Sequence, residues 1–293
     1  MTTNVTRPVL LNGEPMDCVS SMDRGLLYGD GVFETITVQQ GRPRCWRRHM
    51  TRLQAGCQRL GITAPDIDIL QSEASVLLAG VEQAVLKLII TRGTGGRGYR
   101  VTGKEHPTRI MQLHPLPDMP ESHGKAGITV RLCSNRLSQN PALAGIKHLN
   151  RLEQVLARCE WDDPDIHEGL LCDTDGNLIE GTMSNLFLVT NGVIHTPDLS
   201  RCGVAGIMRT IVMEMAEQQG IPLKITILPL AMLEQADEVF VTNSLIGIWP
   251  VSRIDAMTFI KGPVTTALQT ALEQVQDEGE AWRSETTANT RDA

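Results

Sequence analysis

The chain has 293 residues, of which 41% are hydrophobic, 21% charged and 3% aromatic, with a formal net charge of -7. An apolar fraction of this size excludes a chain that is disordered throughout, and the length allows one large or two modest domains. Net acidity and few aromatic side chains argue against a nucleic-acid partner. No apolar run reaches the roughly 20 residues that span a bilayer.

The cysteines and the N-terminal segment bear on the compartment. The seven cysteines are odd in number and form no Cys-x-x-Cys pair, which indicates reduced thiols. The segment MTTNVTRPVLLNGEP lacks the apolar core of a secretion signal, because Pro8 and Gly13 interrupt it. We therefore expect a cytoplasmic protein with no membrane partner. The histidines include no His-Glu-x-x-His motif and no pair at helical spacing, so no metal site is predicted.

Apolar runs rich in β-formers predict strands, and amphipathic periodicity predicts helices between them. The predicted strands are 33–38, 84–91, 128–133, 185–189 and 239–241, and the predicted helices are 49–60, 66–78, 150–159, 206–219 and 264–275. Strands and helices alternate irregularly along the chain. This pattern predicts an α+β or mixed α/β fold.

A proline-rich polar segment, HPLPDMPESHG, separates two of the strand-like runs and is typical of a linker. We therefore expect a small N-terminal α/β domain over 1–115, a linker over 116–124 and a larger C-terminal domain over 125–276. Residues 277–293 are charged and rich in small residues, and predict a disordered tail.

Gly93, Gly95 and Gly98 match Gly-x-Gly-x-x-Gly directly after a predicted strand. A dinucleotide site requires a helix after this motif, but the residues that follow, YRVTGKEHP, are turn-like, so a flexible glycine loop is favoured. Arg92 and Arg97 flank that loop and are candidate ligands for a carboxylate, because a guanidinium group is a planar fork of donors. The alternative is that both are solvated surface arginines.

Lys147 and Glu180 are the candidate chemical groups. Lys147 is one of six lysines and lies between small apolar residues and a predicted helix, so partial desolvation is expected to lower the pKa of its amine toward that of a nucleophile. Glu180 lies between two apolar strand-like pieces, where a carboxylate needs a cationic partner. Taken alone, each is also explained as an ordinary surface residue.

A phosphate site is predicted in the segment GVAGIMRT, residues 203–210, where two glycines precede a helix. The first amides of that helix, near Ile207 and Met208, can hold an anion. Arg52, on the predicted helix 49–60, can supply a further positive charge. A lysine, a buried carboxylate and a phosphate site are together what a pyridoxal-phosphate enzyme needs.

Several motifs at fixed spacing resemble those of the class IV aminotransferases, the fold-type IV pyridoxal-phosphate enzymes. They are RGLLYGDGVFET (24–35), HMTRL (49–53), EGTMSNLF (180–187), IHT (194–196), VAGIMR (204–209) and TNSLIGIWPV (242–251). The resemblance covers the chain from about Leu10 to about Leu272. It implies a two-domain, D-amino-acid aminotransferase-like fold, pyridoxal 5'-phosphate as cofactor and a homodimer.

The resemblance also implies roles for particular residues. Lys147 would be the catalytic residue that attaches the cofactor, and Glu180 would pair with its pyridine nitrogen. The phosphate would be bound by Arg52, by the amides of Ile207 and Met208, and by the hydroxyl of Ser244. The chain departs from the branched-chain transaminases at Leu152, where they have a tyrosine five residues after the lysine. Asn150 is the nearest polar residue that could replace it.

Two segments, LKLIITRGTGGRGY and KHLNRLEQVLAR, are similar to the aminodeoxychorismate lyases within that family. This similarity implies the conversion of 4-amino-4-deoxychorismate to 4-aminobenzoate and pyruvate, as in folate biosynthesis. Arg92, Arg97 and Tyr28 would then contact the substrate and its carboxylates. The alternatives are a branched-chain or D-amino-acid aminotransferase with the same lysine and glutamate, and a binding protein that keeps the fold without catalysis.

Overall fold

The computed structural model describes residues 9–274 and Trp282. The chain divides into two compact units. Unit 1 comprises Met1–Pro117, Lys147–Asn150 and Gln276–Ala293, and unit 2 comprises Asp118–Ile146 and Arg151–Val275. Lys147–Asn150 thus belongs to unit 1, although the chain on both sides of it belongs to unit 2. Within the described ranges, no helix is both long and apolar enough to cross a membrane.

Unit 1 is built on a six-stranded antiparallel sheet in the order β2-β1-β6-β5-β3-β4. Its elements are β1 (Val9–Leu11), β2 (Glu14–Pro15), α1 (Arg24–Tyr28), β3 (Gly31–Gln39), β4 (Arg42–Pro43), α2 (Trp46–Leu60), α3 (Ile67–Leu78), β5 (Gln83–Thr91) and β6 (Thr108–His114). Helix α2 packs on β3 with Met50, Leu53 and Cys57 buried. The helix ends at Gly61, whose φ of 65° places it in the left-handed region that closes a helix.

Unit 2 contains a ten-stranded mixed sheet in the order β12-β11-β10-β14-β15-β7-β8-β9-β13, with β16 paired to β15. Its strands are β7 (Ile128–Leu137), β8 (Glu168–Asp173), β9 (Asn177–Gly181), β10 (Asn185–Thr190), β11 (Val193–Pro197), β12 (Leu223–Thr226), β13 (Leu228–Pro229), β14 (Glu238–Asn243), β15 (Gly247–Ile254) and β16 (Met257–Thr258). Its helices are α4 (Glu121–Ala126), α5 (Leu152–Arg158), α6 (Ile207–Gln218), a 3-10 helix (Leu230–Gln235) and α7 (Pro263–Gln274).

Strands β9 and β10 also pair with each other, through Glu180 and Asn185. This pairing closes the path β10-β14-β15-β7-β8-β9 into a ring of strands. Buried Leu170, Leu186 and Val241 lie in the apolar core of this unit.

The mixed α/β fold and every predicted helix and strand are confirmed, with ends that differ by a few residues. Two details differ from the expectations. The predicted linker 116–124 contains the first residues of α4, because a short turn of helix forms after Pro120. In the predicted tail, Trp282 is buried and packs edge-on against Trp46, with ring centroids 5.2 Å apart. The rest of that tail lies outside the described residues.

Candidate active site

Lys147 is held against β3 of unit 1 by backbone hydrogen bonds. The Phe33 amide donates to the Lys147 carbonyl at 3.0 Å, and the Leu149 amide donates to the Gly31 carbonyl at 3.0 Å. Gly31 allows this approach, since a Cβ there would lie 2.7 Å from Leu149 Cδ1. The Lys147 amine lies 4.4 Å from the centroid of the Phe33 ring. The sheet therefore fixes both the backbone and the direction of the lysine.

Lys87 is a second lysine on this side of the sheet. It lies on β5 opposite Thr35 of β3, and its amine is 5.9 Å from the same Phe33 ring. One aromatic ring thus has two ammonium groups near it, an arrangement that favours binding of an anion. The sequence interpretation passed over Lys87. The available signal was a single charge in an otherwise apolar strand.

Arg52 and His49, on α2, both contact the carboxylate of Glu34. Arg52 Nε donates to Glu34 Oε1 at 2.8 Å, its Nη2 donates to Oε2, and His49 Nδ1 lies 2.6 Å from Oε2. Burial alone would raise the pKa of Glu34, but the charges of Arg52 and His49 lower that pKa to about 2. Burial lowers the pKa of His49 against the opposing effect of the Glu34 carboxylate, and the charges of Arg52 and Lys147 add to the lowering. Glu34 is therefore ionised and orients the Arg52 guanidinium.

Glu180 is a buried carboxylate of unit 2, as Glu34 is of unit 1. Its side chain is 4% exposed, and Oε2 accepts a hydrogen bond from the Val204 amide at 2.7 Å. Gln154 Nε2 lies 3.4 Å from Oε1. Burial lowers the pKa of Arg151, whereas the negative charge of Glu180 opposes that shift, so the arginine and the carboxylate influence each other. A buried carboxylate with these contacts can pair with a protonated ring nitrogen.

The N-terminus of α6 fits an anion. Gly206 precedes the helix and has no side chain that could cap it. The amides of the first turn, including those of Ile207 and Met208, therefore have no side-chain cap and can face an anion. A Cβ on Gly206 would lie 2.0 Å from Asn185 Oδ1. Asn185 also donates from Nδ2 to the Val204 carbonyl at 2.8 Å. The chain before α6 is thus packed tightly against β10.

Glu168 organises the turn that follows Glu180. Its carboxylate accepts hydrogen bonds from the amide and hydroxyl of Thr182, from the Ser184 hydroxyl and from the amides of Gly169 and Met183. The turn joins β9 to β10, so Glu168 contributes to the position of the strand that carries Glu180. Sequence reasoning missed this residue, since the side chains that it contacts, those of Thr182 and Ser184, lie 14 and 16 positions away.

Arg92 has structural contacts in place of the substrate role expected from the sequence. Its Nε and Nη2 donate to Asp30 at 2.7 and 2.9 Å, and its Nη1 and Nη2 donate to the carbonyls of Gly61 and Leu60 at 2.6 and 2.7 Å. Four of the five N–H groups of a guanidinium are used in this way. Arg92 therefore joins the end of β5 to the end of α2, and we assign it a structural role.

The remaining substrate candidates lie elsewhere on unit 1. Arg97 is exposed in the loop after β5, and Tyr28 ends α1 half-buried, with its ring centroid 5.2 Å from that of Tyr99. Asn150 donates from Nδ2 to the Gly29 carbonyl at 3.2 Å.

Two predicted positions lie on unit 2. Ser244 is in the turn between β14 and β15, where Asn243 Oδ1 accepts from the amides of Leu245 and Ile246. Leu152 is 75% exposed at the start of α5. Among the residues that the structure describes, no group of three or more His, Cys, Asp or Glu side chains is arranged to hold a metal ion.

A family model described as amino-transferase class IV matches residues 31–254. The chain belongs to the class IV aminotransferase family. An aminodeoxychorismate lyase of Vibrio harveyi is 37% identical over 88% of this chain and 97% of its own length. A putative branched-chain-amino-acid aminotransferase of Methanocaldococcus jannaschii is 33% identical over 94% of this chain and 97% of its own length.

The structure of 4-amino-4-deoxychorismate lyase from Pseudomonas aeruginosa superimposes with a TM-score of 0.88 and 46% identity, covering 92% of this chain and 99% of that one. The fold-type IV, D-amino-acid aminotransferase-like fold expected from the resemblance is therefore confirmed for this member of the class IV aminotransferases.

Proposed function

We propose that this class IV aminotransferase homologue is a pyridoxal-phosphate-dependent lyase that converts 4-amino-4-deoxychorismate to 4-aminobenzoate and pyruvate. The observation that carries the proposal is its likeness over nearly the whole chain to a lyase of known structure. The curated relative named as a lyase is also more similar to the chain than the putative branched-chain aminotransferase is.

The residues fit pyridoxal 5'-phosphate. The fit rests on the uncapped N-terminus of α6 beside Gly206, on the buried carboxylate of Glu180 and on the amine of Lys147 held by β3. Lys147 would attach the cofactor and Glu180 would pair with its pyridine nitrogen. Its phosphate would be held by Arg52, by the amides of Ile207 and Met208, and by Ser244. When bound, the cofactor supplies an electron sink for the carbon that carries the substrate's amine.

Lys147 then acts as the general base. Its amine takes the proton from the amine-bearing ring carbon of the substrate, a task that a lysine amine can perform once it is neutral. Loss of the enolpyruvyl group from the neighbouring carbon makes the ring aromatic, and the released enol becomes pyruvate. The reaction needs no second substrate, and aromatisation drives it forward.

The two carboxylates of this substrate need cations. Because Arg92 is committed to Asp30 and to backbone carbonyls, we place Lys87 and Arg97 in this role. The amines of Lys87 and Lys147 both lie near the Phe33 ring. Tyr28 remains a candidate wall of the substrate pocket.

Two copies of the chain are proposed to form a homodimer in the cytoplasm. Unit 2 exposes Leu152, Val155 and Leu156 on α5, and a group of neighbouring exposed apolar side chains supports an association surface there. All seven cysteines lie in the described ranges and are free thiols, which supports a reducing compartment.

The test is a single-turnover assay with 4-amino-4-deoxychorismate generated in situ and no keto acid added. We expect equal amounts of 4-aminobenzoate, followed by fluorescence, and of pyruvate, followed through a coupled dehydrogenase. If neither product forms, and leucine or D-alanine instead transfers its amine to the cofactor, the chain is an aminotransferase of the same fold.

A further inference from the structure

Arg24 connects α1 to the glycine-rich segment between β5 and β6, residues 94–106, which we call the 94–106 loop. The Arg24 side chain is 4% exposed. Its Nη1 donates to the Gly98 carbonyl at 2.9 Å and its Nη2 donates to the Tyr99 carbonyl at 3.2 Å. Nε donates to Asp30 at 2.9 Å. A buried guanidinium group thus holds the backbone of a largely exposed loop.

Aromatic stacking and close packing add to this connection. Arg24 Cζ lies 5.0 Å from the centroid of the Tyr28 ring, and Tyr28 in turn contacts Tyr99 with centroids 5.2 Å apart. The loop backbone also approaches Arg24 closely at Gly95, where a Cβ would lie 2.8 Å from Arg24 Cδ. The Arg24 side chain therefore contacts the loop on both sides of Arg97, with its methylenes near Gly95 and its guanidinium at Gly98 and Tyr99.

A flexible loop would have to be ordered before it could bind an anion, and that ordering would cost conformational entropy. Arg97 immediately precedes Gly98, whose carbonyl accepts from Arg24. We propose that Arg24 is a positioning residue that holds the 94–106 loop in one conformation and so places Arg97 for a substrate carboxylate. This inference rests on the proposed function for the identity of the substrate.

Two neighbouring glycines give a matched test. Gly95→Ala puts a methyl group against Arg24, whereas a Cβ on Gly96 has nothing within 4 Å, and neither glycine has positive φ. In the holoenzyme we expect Gly95→Ala to speed amide hydrogen exchange in the 94–106 loop and to raise the KM for 4-amino-4-deoxychorismate about tenfold, the size of one lost charged hydrogen bond. We expect kcat to change little, and Gly96→Ala to match the wild type in all three measurements.

Arg24 itself gives the second test. Arg24→Gln leaves Asp30 paired with Arg92, so the variant should fold. We expect faster loop exchange and a raised KM, with partial rescue by Arg24→Lys, which keeps the charge but loses the fork of donors. Arg97→Gln should raise KM without changing loop exchange. Unchanged loop exchange in Arg24→Gln, or faster exchange with an unchanged KM, overturns the inference.

Binding of chorismate separates this inference from the proposed function. Chorismate carries both carboxylates but lacks the amine, so calorimetric titration measures carboxylate binding without turnover. If the wild type makes no 4-aminobenzoate, the proposed function fails. The inference then still predicts weaker chorismate binding in Arg24→Gln and Gly95→Ala than in Gly96→Ala. Absence of chorismate binding in the wild type, or equal binding in all variants, overturns it.

Discussion

The carboxylate of Glu34 is buried in unit 1 and faces two basic side chains. A buried carboxylate is costly unless cations and hydrogen bonds compensate for lost water. Arg52 and His49 provide that compensation, and both lie on one face of α2. Because Arg52 uses Nε and Nη2 for Glu34, its guanidinium plane is fixed before any phosphate arrives.

Stability at acid pH should depend on Glu34. Its pKa is lowered from 4.5 to about 2 on folding, so its contribution is present above pH 4.5 and is lost as the pH falls toward 2. Between pH 6 and pH 3 the wild type should lose about 2 kcal/mol more unfolding free energy than Glu34→Gln. Urea unfolding followed by tryptophan fluorescence measures this. Glu82→Gln, at an exposed position, should follow the wild type, and equal losses in all three proteins would contradict the assignment.

Lys147→Ala should abolish turnover and the visible absorption of bound cofactor, because the Lys147 amine is the group proposed both to attach the cofactor and to act as the base. We expect at least a thousandfold loss of activity, the scale on which removal of a nucleophile or base acts. Lys224→Ala, at an exposed position on β12, is the matched control and should keep both properties. Residual activity of Lys147→Ala within about tenfold of the wild type would exclude Lys147 as the base.

The residues proposed to carry chemistry have a clearer signal in the sequence than the residues that support them. Lys147 and Glu180 stand out because each is a charged residue in an apolar context. Glu34 and Glu168 were not predicted, since their side-chain partners lie 14 or more positions away and alternation alone does not show which face of a strand is buried. The contacts of Arg92 were not foreseen for the same reason, because Asp30 is 62 positions away.

At the scale of elements, α6 offers the clearest prediction. Gly206→Ala would place a Cβ 2.0 Å from Asn185 Oδ1, so either the start of α6 must shift or the Asn185 side chain must move and strain its hydrogen bond to the Val204 carbonyl. Because the amides of the first turn are proposed to bind the phosphate, we expect the Kd of the apoenzyme for pyridoxal 5'-phosphate to rise about tenfold or more. Fluorescence quenching on titration measures that Kd.

Gly124→Ala is the control for this change. Its nearest heavy atom would be Gln269 Nε2 at 3.9 Å, an ordinary contact, so cofactor affinity should stay at the wild-type value. Equal affinity of Gly206→Ala and Gly124→Ala would show that the α6 N-terminus does not hold the phosphate.

The long periodic elements were predictable and the short ones were not. Helix α2 has a continuous apolar stripe and a glycine stop, and both appear in the sequence. Helix α1 has five residues, too few for periodicity, and depends on Asp23, whose side chain accepts from the Gly25 amide. Strand β6 was missed because its apolar run is short and is interrupted by Gln112, although the turn-like residues that end at Pro107 mark its start.

At the scale of the whole molecule, exposed apolar surface remains on each unit after folding. Unit 1 exposes Leu26 and Tyr99, with 67% and 83% of their surface accessible, and unit 2 exposes Leu152, Val155 and Leu156 along one side of α5. Single exposed apolar residues are ordinary, but three neighbours on one short helix are consistent with the proposed association surface. In the homodimer proposed from the resemblance, a second copy of the chain would cover these residues.

Leu156→Glu should therefore produce monomers. The substitution places a charge on an α5 surface that is 59% exposed in the single chain, so it costs little in the monomer but is unfavourable once the surface is covered. Light scattering after size-exclusion chromatography should give the mass of two chains for the wild type and of one chain for the variant. Ile260→Glu, at a position 76% exposed and away from α5, should remain a dimer. A wild type that elutes as a monomer, or a Leu156→Glu dimer as stable as the wild type, would remove α5 from the interface.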